Sequence, residues 1–176
     1  MNVILRQELR ADHSKVPKVI QEAFKTLPQS DQTEHLLVER LRQSNAFIPE
    51  LSIVAAAGNE ILGHILFTKI KVRGESEVAE SLALAPVSVK PNYQRKSIGS
   101  SLIKEGHRIG KDLGFESVIL IGHAQYYPRF GYERASKYGI ELPFDAPDEN
   151  CMVVRLAENA LTGVKGLVEY PKEFYM

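Results

Sequence analysis

The segment Ser81-Leu82-Ala83-Leu84-Ala85-Pro86-Val87-Ser88-Val89 constrains the fold most. It is a nearly continuous apolar run with no polar alternation, which reads as a strand covered on both faces. Pro86 has no N–H for a ladder, so it marks a bulge or an edge within that strand. From Ile98 the period becomes helical. Ile98, Leu102, Ile103, Gly106, Ile109 and Leu113 fall on one face, and Gly114 ends the helix. Val118–Ile121 then reads as a short buried strand. Strand, helix and strand within about 40 residues form a βαβ unit, which requires parallel neighbours and a right-handed crossover. The fold class is therefore α/β with a mixed sheet.

The remaining elements are placed around that unit. Val3-Ile4-Leu5 suggests an opening strand over residues 2–8. Asp12 is a candidate cap for a helix carrying Val16, Val19, Ile20, Ala23, Phe24 and Leu27 and ending at Leu27-Pro28. Asp31 is a candidate cap for a second helix with Leu36, Leu37 and Leu41. Residues 44–50 read as a loop. Residues 51–57 and 61–72 read as strands joined by the hairpin signal Gly58-Asn59-Glu60, and residues 73–77 as a turn. Beyond Ile121 the chain is rich in aromatics: Tyr126, Tyr127, Phe130, Tyr132, Tyr138 and Phe144. A further strand is expected from Cys151 to Leu156, then a strand-and-turn extension over 157–176. With no repeats, linkers or low-complexity segments, residues 1–176 read as one domain of six or seven strands.

Composition narrows the function. Apolar residues make up 44% and charged residues 25%, as in folded globular proteins. Twenty-two basic residues balance 22 acidic ones, so the basic excess of a nucleic-acid binder is missing. One cysteine allows neither an intramolecular disulfide nor a CxxC metal site. The histidines show no HxH or HExxH spacing, so no metal is expected. There is no apolar stretch of the roughly 20 residues a membrane span needs, and no signal-peptide pattern. The expectation is a cytoplasmic protein with no nucleic-acid or membrane partner.

The chemistry points to the join between the run at 81–89 and the helix from Ile98. Small residues at Ser97, Gly99, Ser100 and Ser101 let a ligand approach the backbone, and a helix N-terminus favours an anion. Residues 90–111 hold six Lys/Arg against Glu105 alone, a local charge of +5. That suits a polyphosphate; a plain helix start with a solvated basic face fits equally well. No GxxxxGK[ST] or GxGxxG is present.

Gln94-x-x-Ser97-x-Gly99, after a strand and Pro91, resembles the acyl-CoA signature Gln/Arg-x-x-Gly-x-Gly/Ala of the GNAT superfamily of N-acetyltransferases. Tyr126-Tyr127-Pro128-Arg129-Phe130-Gly131-Tyr132 resembles the family's second element. The likeness covers nearly the whole chain and is strongest to a bacterial branch of predicted acetyltransferases, in AFIPELSIVA, GHILFTKI, LALAPVSV and VEYPKEF. Two positions depart from the pattern. Ser97 replaces the usual first glycine and is expected in a helix-N-terminal conformation, and Leu120 stands where many members carry Asn.

The resemblance implies a mixed β-sheet with flanking helices, splayed between two central parallel strands. Acetyl-CoA would be the cosubstrate, its pantetheine on the backbone of Val87, Ser88 and Val89. Its pyrophosphate would sit on the segment Gln94, Arg95, Lys96, Ser97, Ile98, Gly99 and Ser100, with Pro86 at the acyl site. Tyr127 would donate to the departing thiolate, with its packing role as the competing explanation. Glu77, Glu80 and His123 are candidate bases, each with a plainer reading as a surface or structural group. Cys151 reads as a small buried hydrophobe.

The implied activity is acetyl transfer to an amine of a small molecule, a protein N-terminus or a lysine. Phe47, Tyr132 and Phe144 are candidate walls of the acceptor pocket, and the four acids of 141–150 could attract a cationic amine. The alternatives are a non-catalytic acyl-CoA sensor and a longer-chain acyltransferase. A homodimer is left open.

Overall fold

The structure is a computed structural model that describes residues 1–176. Two compact units form. One comprises Met1–Thr68 and Ala85–Ile109, the other Lys69–Leu84 and Gly110–Met176.

In the first unit, β1 (Ile4–Gln7) pairs antiparallel with β2 (Phe47–Ala57), Ile4 facing Ala56 and Gln7 facing Ile53. Gly58, at φ +60°, turns β2 into β3 (Glu60–Arg73). The β2–β3 ladder runs from Ala57↔Glu60 to Ser52↔Leu66, shifts register, and resumes at Phe47↔Thr68. Residues 47–50, expected in a loop, therefore belong to β2. Pro49 falls within the register shift, where a missing N–H leaves no ladder bond unmade.

Helices α1 (Val16–Phe24) and α2 (Glu34–Arg42) pack on each other, burying Val16, Val19 and Ile20 on one and Val38 and Leu41 on the other. Asp12 does not cap α1. Its carboxylate is taken by the Arg6 guanidinium at 2.7 Å and the Leu9 N–H at 2.8 Å, and a charge-assisted bond outcompetes a neutral cap. α1 starts later, with Pro17 in its first turn, and ends at Phe24, short of the exposed Leu27. Asp31 accepts from the Thr33 N–H and hydroxyl, in the turn before α2. α3 (Ile98–Asp112) buries Ile98, Leu102 and Ile103, while Leu113 is exposed beyond its end. A Cβ at Gly106 would lie 2.0 Å from Cε2 of Phe67, so this glycine makes room for the ring against the helix.

In the second unit, β4 (Val78–Val89, the part up to Leu84) pairs parallel with β5 (Ser117–Ile121) at Leu82↔Val118 and Ala83↔Ile119. β5 pairs antiparallel with β8 (Cys151–Arg155), from Ser117↔Arg155 to Ile121↔Cys151, and β8 carries β6 (Glu133–Arg134). β9 (Gly166–Glu169) joins the far end of β3 through Lys71↔Glu169 and pairs parallel with β7 (Ile140–Glu141). Ile70, Val72, Ala83, Ile119, Val153 and Val168 form the core of this unit. The expected βαβ unit is present as β4–α3–β5. There are nine strands rather than six or seven, because β6 and β7, two residues each, are too short to leave a periodic signature; β9 falls in the expected strand-and-turn extension. No helix is long and apolar enough to cross a membrane.

Candidate functional site

The first unit carries the segment from Lys90 to Ser101 in which an anion cradle is expected. After β4 the Lys90 N–H donates to the Leu62 carbonyl at 2.8 Å, and the Lys90 ammonium reaches Glu60 at 3.0 Å. Pro91–Tyr93 form a short 3-10 turn, and Gln94 Nε2 donates to the Val89 carbonyl at 3.0 Å. Gln94 has φ −68°, Arg95 +62° and Ser97 +65°. Arg95 and Ser97 thus lie in the left-handed region on either side of Lys96, in a tight turn after Gln94.

This turn leads into α3, whose first internal bond is Ser101 N–H to the Ser97 carbonyl at 2.9 Å. The amides before Ser101 have no partner in the helix. Ser97 is thus not in a helix-N-terminal conformation. It adopts the left-handed region that favours glycine, which accounts physically for the glycine the signature usually places there. Arg95 and Lys96 are exposed, the Lys96 ammonium 5.4 Å from the Tyr93 ring. Val87 and Val89 are half-buried. Ser88 is buried and its hydroxyl donates to the His64 carbonyl at 3.5 Å. Pro86 is buried inside β4 after a cis Ala85–Pro86 peptide.

The second unit carries the aromatic turn. Tyr127–Phe130 form a 3-10 turn entered through the His123 carbonyl, which accepts from the N–H groups of Tyr126 and Tyr127. Gly131, at φ +95°, closes it. Tyr127 is 8% exposed, its ring edge-on to Tyr126 at 5.1 Å and to Tyr132 at 5.7 Å. Burial, helped by Tyr126, pushes its phenol well above the usual range, so it keeps its proton. Arg129 lies over the Tyr126 ring at 4.6 Å. His123 is exposed in the turn after β5, Glu77 is exposed in the turn before β4, and Glu80 lies exposed within β4 rather than ahead of it. Leu120 is buried opposite Met152.

Of the expected acceptor walls, Phe47 is half-buried on β2 and Tyr132 is buried behind Tyr127. Phe144 packs on Tyr170 at 4.8 Å and Tyr175 at 5.5 Å. Those C-terminal tyrosines were not singled out in the sequence, although the terminal VEYPKEFY carries the signal. In the acidic loop, Asp148 is engaged by Arg134 at 3.4 Å. Cys151 is half-buried, and burial pushes its thiol up.

A buried polar chain in the first unit was not read from the sequence. His64, fully buried on β3, meets the Ser52 hydroxyl at 3.0 Å. Ser52 donates to Glu8 at 2.7 Å, and Arg42 holds Glu8 as an ion pair. Burial opposes ionisation of Glu8, but Arg42, His64 and Ser52 together hold its carboxyl below the usual range. Burial pushes His64 down to about 4, so its imidazole is neutral at pH 7. The only sequence sign was a lone His within an apolar strand.

Residues 16–132 match the acetyltransferase (GNAT) family. The chain is 34% identical to the uncharacterized N-acetyltransferase YjhQ of Escherichia coli K12 over 142 residues, 80% of this chain and 76% of that protein. It is 27% identical to the uncharacterized N-acetyltransferase YhbS of the same strain over 172 residues, 98% of each chain. The crystal structure of E. coli YhbS in complex with CoA superposes with a TM-score of 0.89 at 26% identity, covering 100% of this chain and 93% of that one. A GNAT acetyltransferase from Brucella melitensis in complex with acetyl-CoA gives 0.80 at 28% identity, covering 98% of each. By the family match over residues 16–132 and the likeness to YjhQ, the chain belongs to the acetyltransferase (GNAT) family of acyltransferases.

Proposed function

We propose that this protein is an acetyl-CoA-dependent N-acetyltransferase that passes the acetyl group directly to an amine. The observation that carries the reading is the turn with left-handed Arg95 and Ser97 that leads into the N-terminus of α3, whose first amides have no partner in the helix and suit a pyrophosphate. The complexes of the E. coli and Brucella relatives with CoA and acetyl-CoA support it. The amides from Arg95 to Ser100 hold the pyrophosphate, and the backbone of Val87–Val89 takes the pantetheine amides.

The acceptor amine, with a pKa near that of lysine, must lose a proton before it attacks the thioester carbonyl. Backbone N–H groups at Val87–Val89 steady the oxygen of the tetrahedral intermediate. Collapse breaks the carbon–sulfur bond as the Tyr127 hydroxyl donates to the departing sulfur, and the proton shed by the new amide nitrogen passes through solvent to restore the phenol. A phenol is protonated at neutral pH and can donate; burial keeps that proton in place and also makes Tyr127 a weaker acid than a free phenol.

The test is release of the CoA thiol from acetyl-CoA with a panel of primary amines. Tyr127→Phe keeps the ring packing and removes the hydroxyl. We expect kcat to fall by roughly 10²–10⁴-fold, toward the lower end because water substitutes in part, with acetyl-CoA affinity little changed. A Tyr127→Phe enzyme with normal kcat, under conditions where chemistry limits the rate, removes Tyr127 from the mechanism.

A further inference from the structure

We infer that Asn150 is a positioning residue for Tyr127, acting through the peptide of Gly122; this rests on the role proposed above for Tyr127. β5 ends at Ile121, which faces Cys151 on β8. One step further, Gly122 donates its N–H to the Asn150 carbonyl at 2.9 Å, and Asn150 Nδ2 donates back to the Gly122 carbonyl at 2.8 Å. A single residue therefore satisfies both polar groups of this glycine's backbone.

Tyr127 rests on the other side of Gly122. A Cβ at position 122 would stand 2.3 Å from Cε2 and 2.9 Å from Cδ2 of the Tyr127 ring. Gly122 is not left-handed, so glycine is needed here for room, not for conformation. The aromatic neighbours of the ring, Tyr126, Phe130 and Tyr132, are side chains that can tilt. The Gly122 peptide is a backbone surface, and Asn150 fixes its height. A small tilt where the ring meets that peptide is magnified at the phenol oxygen, the atom that must reach the sulfur.

Asn150 itself is anchored by its N–H to the Pro147 carbonyl at 3.0 Å, at the end of the acidic loop. Asn is suited to the task, because alanine leaves the Gly122 carbonyl without its donor and aspartate sets a carboxylate oxygen against it.

The experiment is a double-mutant cycle between Asn150→Ala and Tyr127→Phe, read by CoA thiol release from acetyl-CoA with the best amine of the panel. Asn150→Ala should lower kcat about tenfold, with the KM for acetyl-CoA changed less than about twofold. In the Tyr127→Phe background the same substitution should change kcat by less than about twofold, because the hydroxyl it positions is gone. Gly122→Ala, which presses on the ring directly, and Asn150→Asp should show the same dependence, and either replaces Asn150→Ala if that variant does not fold. A second readout needs no turnover. In the ligand-free protein the ring NMR signals of Tyr127 should shift in Asn150→Ala, while those of Tyr93 stay in place.

Additive losses of kcat, or unmoved Tyr127 signals, overturn the inference and leave the proposed function standing. Normal kcat in Tyr127→Phe removes the role of Tyr127 and the inference with it. Wild-type protein that binds acetyl-CoA but turns over no amine overturns the transferase reading itself.

Discussion

Lowering the pH from 7.5 to 4.5 should destabilise the protein through His64 by an amount the structure sets. His64 is fully buried and its imidazole titrates at about 4 in the fold against 6.5 when free. Burial is the main cause and Arg42 adds to it, while Glu8 and Asp12 oppose it. The unfolded chain therefore binds the proton first. The stability due to neutral His64 is complete above pH 6.5, declines as pH falls toward 4, and is exhausted below that.

Each unit of difference corresponds to about 1.4 kcal/mol, so the loss is about 1.4 kcal/mol at pH 5.5 and about 2.5 kcal/mol at pH 4.5. For a chain of this size that is a fall in Tm of roughly 5–10 °C at pH 4.5. His64→Gln cannot titrate, although its amide can still meet Ser52. The chain has no tryptophan, so urea unfolding is followed by far-UV circular dichroism at each pH. The buried His107, also held down to about 4, contributes equally to both proteins and cancels. Wild type should lose about 2.5 kcal/mol more than His64→Gln between pH 7.5 and 4.5. Parallel pH curves for the two proteins would refute the argument, whatever their difference at pH 7.5.

Arg42→Ala leaves the buried Glu8 carboxylate without its cation and should cost about 3–5 kcal/mol at pH 7.5. Burial then dominates Glu8 and raises its carboxyl, so the folded state gains protons and the deficit should shrink as pH falls toward 5; a deficit that grows on acidification contradicts this. Ser97→Gly removes a left-handed penalty of about 1 kcal/mol, partly offset by the freer unfolded chain, and should raise Tm by about 1–2 °C, with CoA affinity by calorimetry unchanged. Ser97→Ala, which keeps the penalty, should bring no gain, and equal melting of the two variants would remove strain as the explanation.

The elements legible in the sequence are those whose signals are local. The period of Ile98, Leu102 and Ile103 and the apolar run at 81–89 lie within single elements, and β4, α3 and β5 form where they point. The misplaced boundaries depend on partners elsewhere. Asp12 has the chemistry of a helix cap, but Arg6, six residues earlier, binds its carboxylate. Residues 47–50 look like a loop because of Pro49, yet Phe47 rejoins the ladder opposite Thr68 beyond a register shift. The backbone just ahead of α3 is also misjudged: Ser97 is expected in a helix-N-terminal conformation and is left-handed, and serine does not announce a left-handed backbone.

The buried groups are a harder case, because their meaning arises only from register. Glu8, Arg42, Ser52 and His64 are ordinary residues at unrelated spacings. They meet because β2 sets Val54 against His64 and Ser52 against Leu66, which places the Ser52 hydroxyl diagonally within reach of the imidazole. Asn150 and Gly122 follow the same logic across β5 and β8. With Ile121 facing Cys151, the next residues outward are Gly122 and Asn150, and their mutual hydrogen bonds continue the ladder past its last pair. A slip of one residue would bring Glu149 or Cys151 to Gly122 and turn every side chain of β8 to the opposite face. Neither residue carries a side-chain amide, so the bond that Asn150 Nδ2 makes to the Gly122 carbonyl would be lost. Met152, Val153 and Val154 are all buried, so both faces of β8 are packed against neighbours in this register. The packing of β8 thus fixes the backbone on which the Tyr127 ring rests.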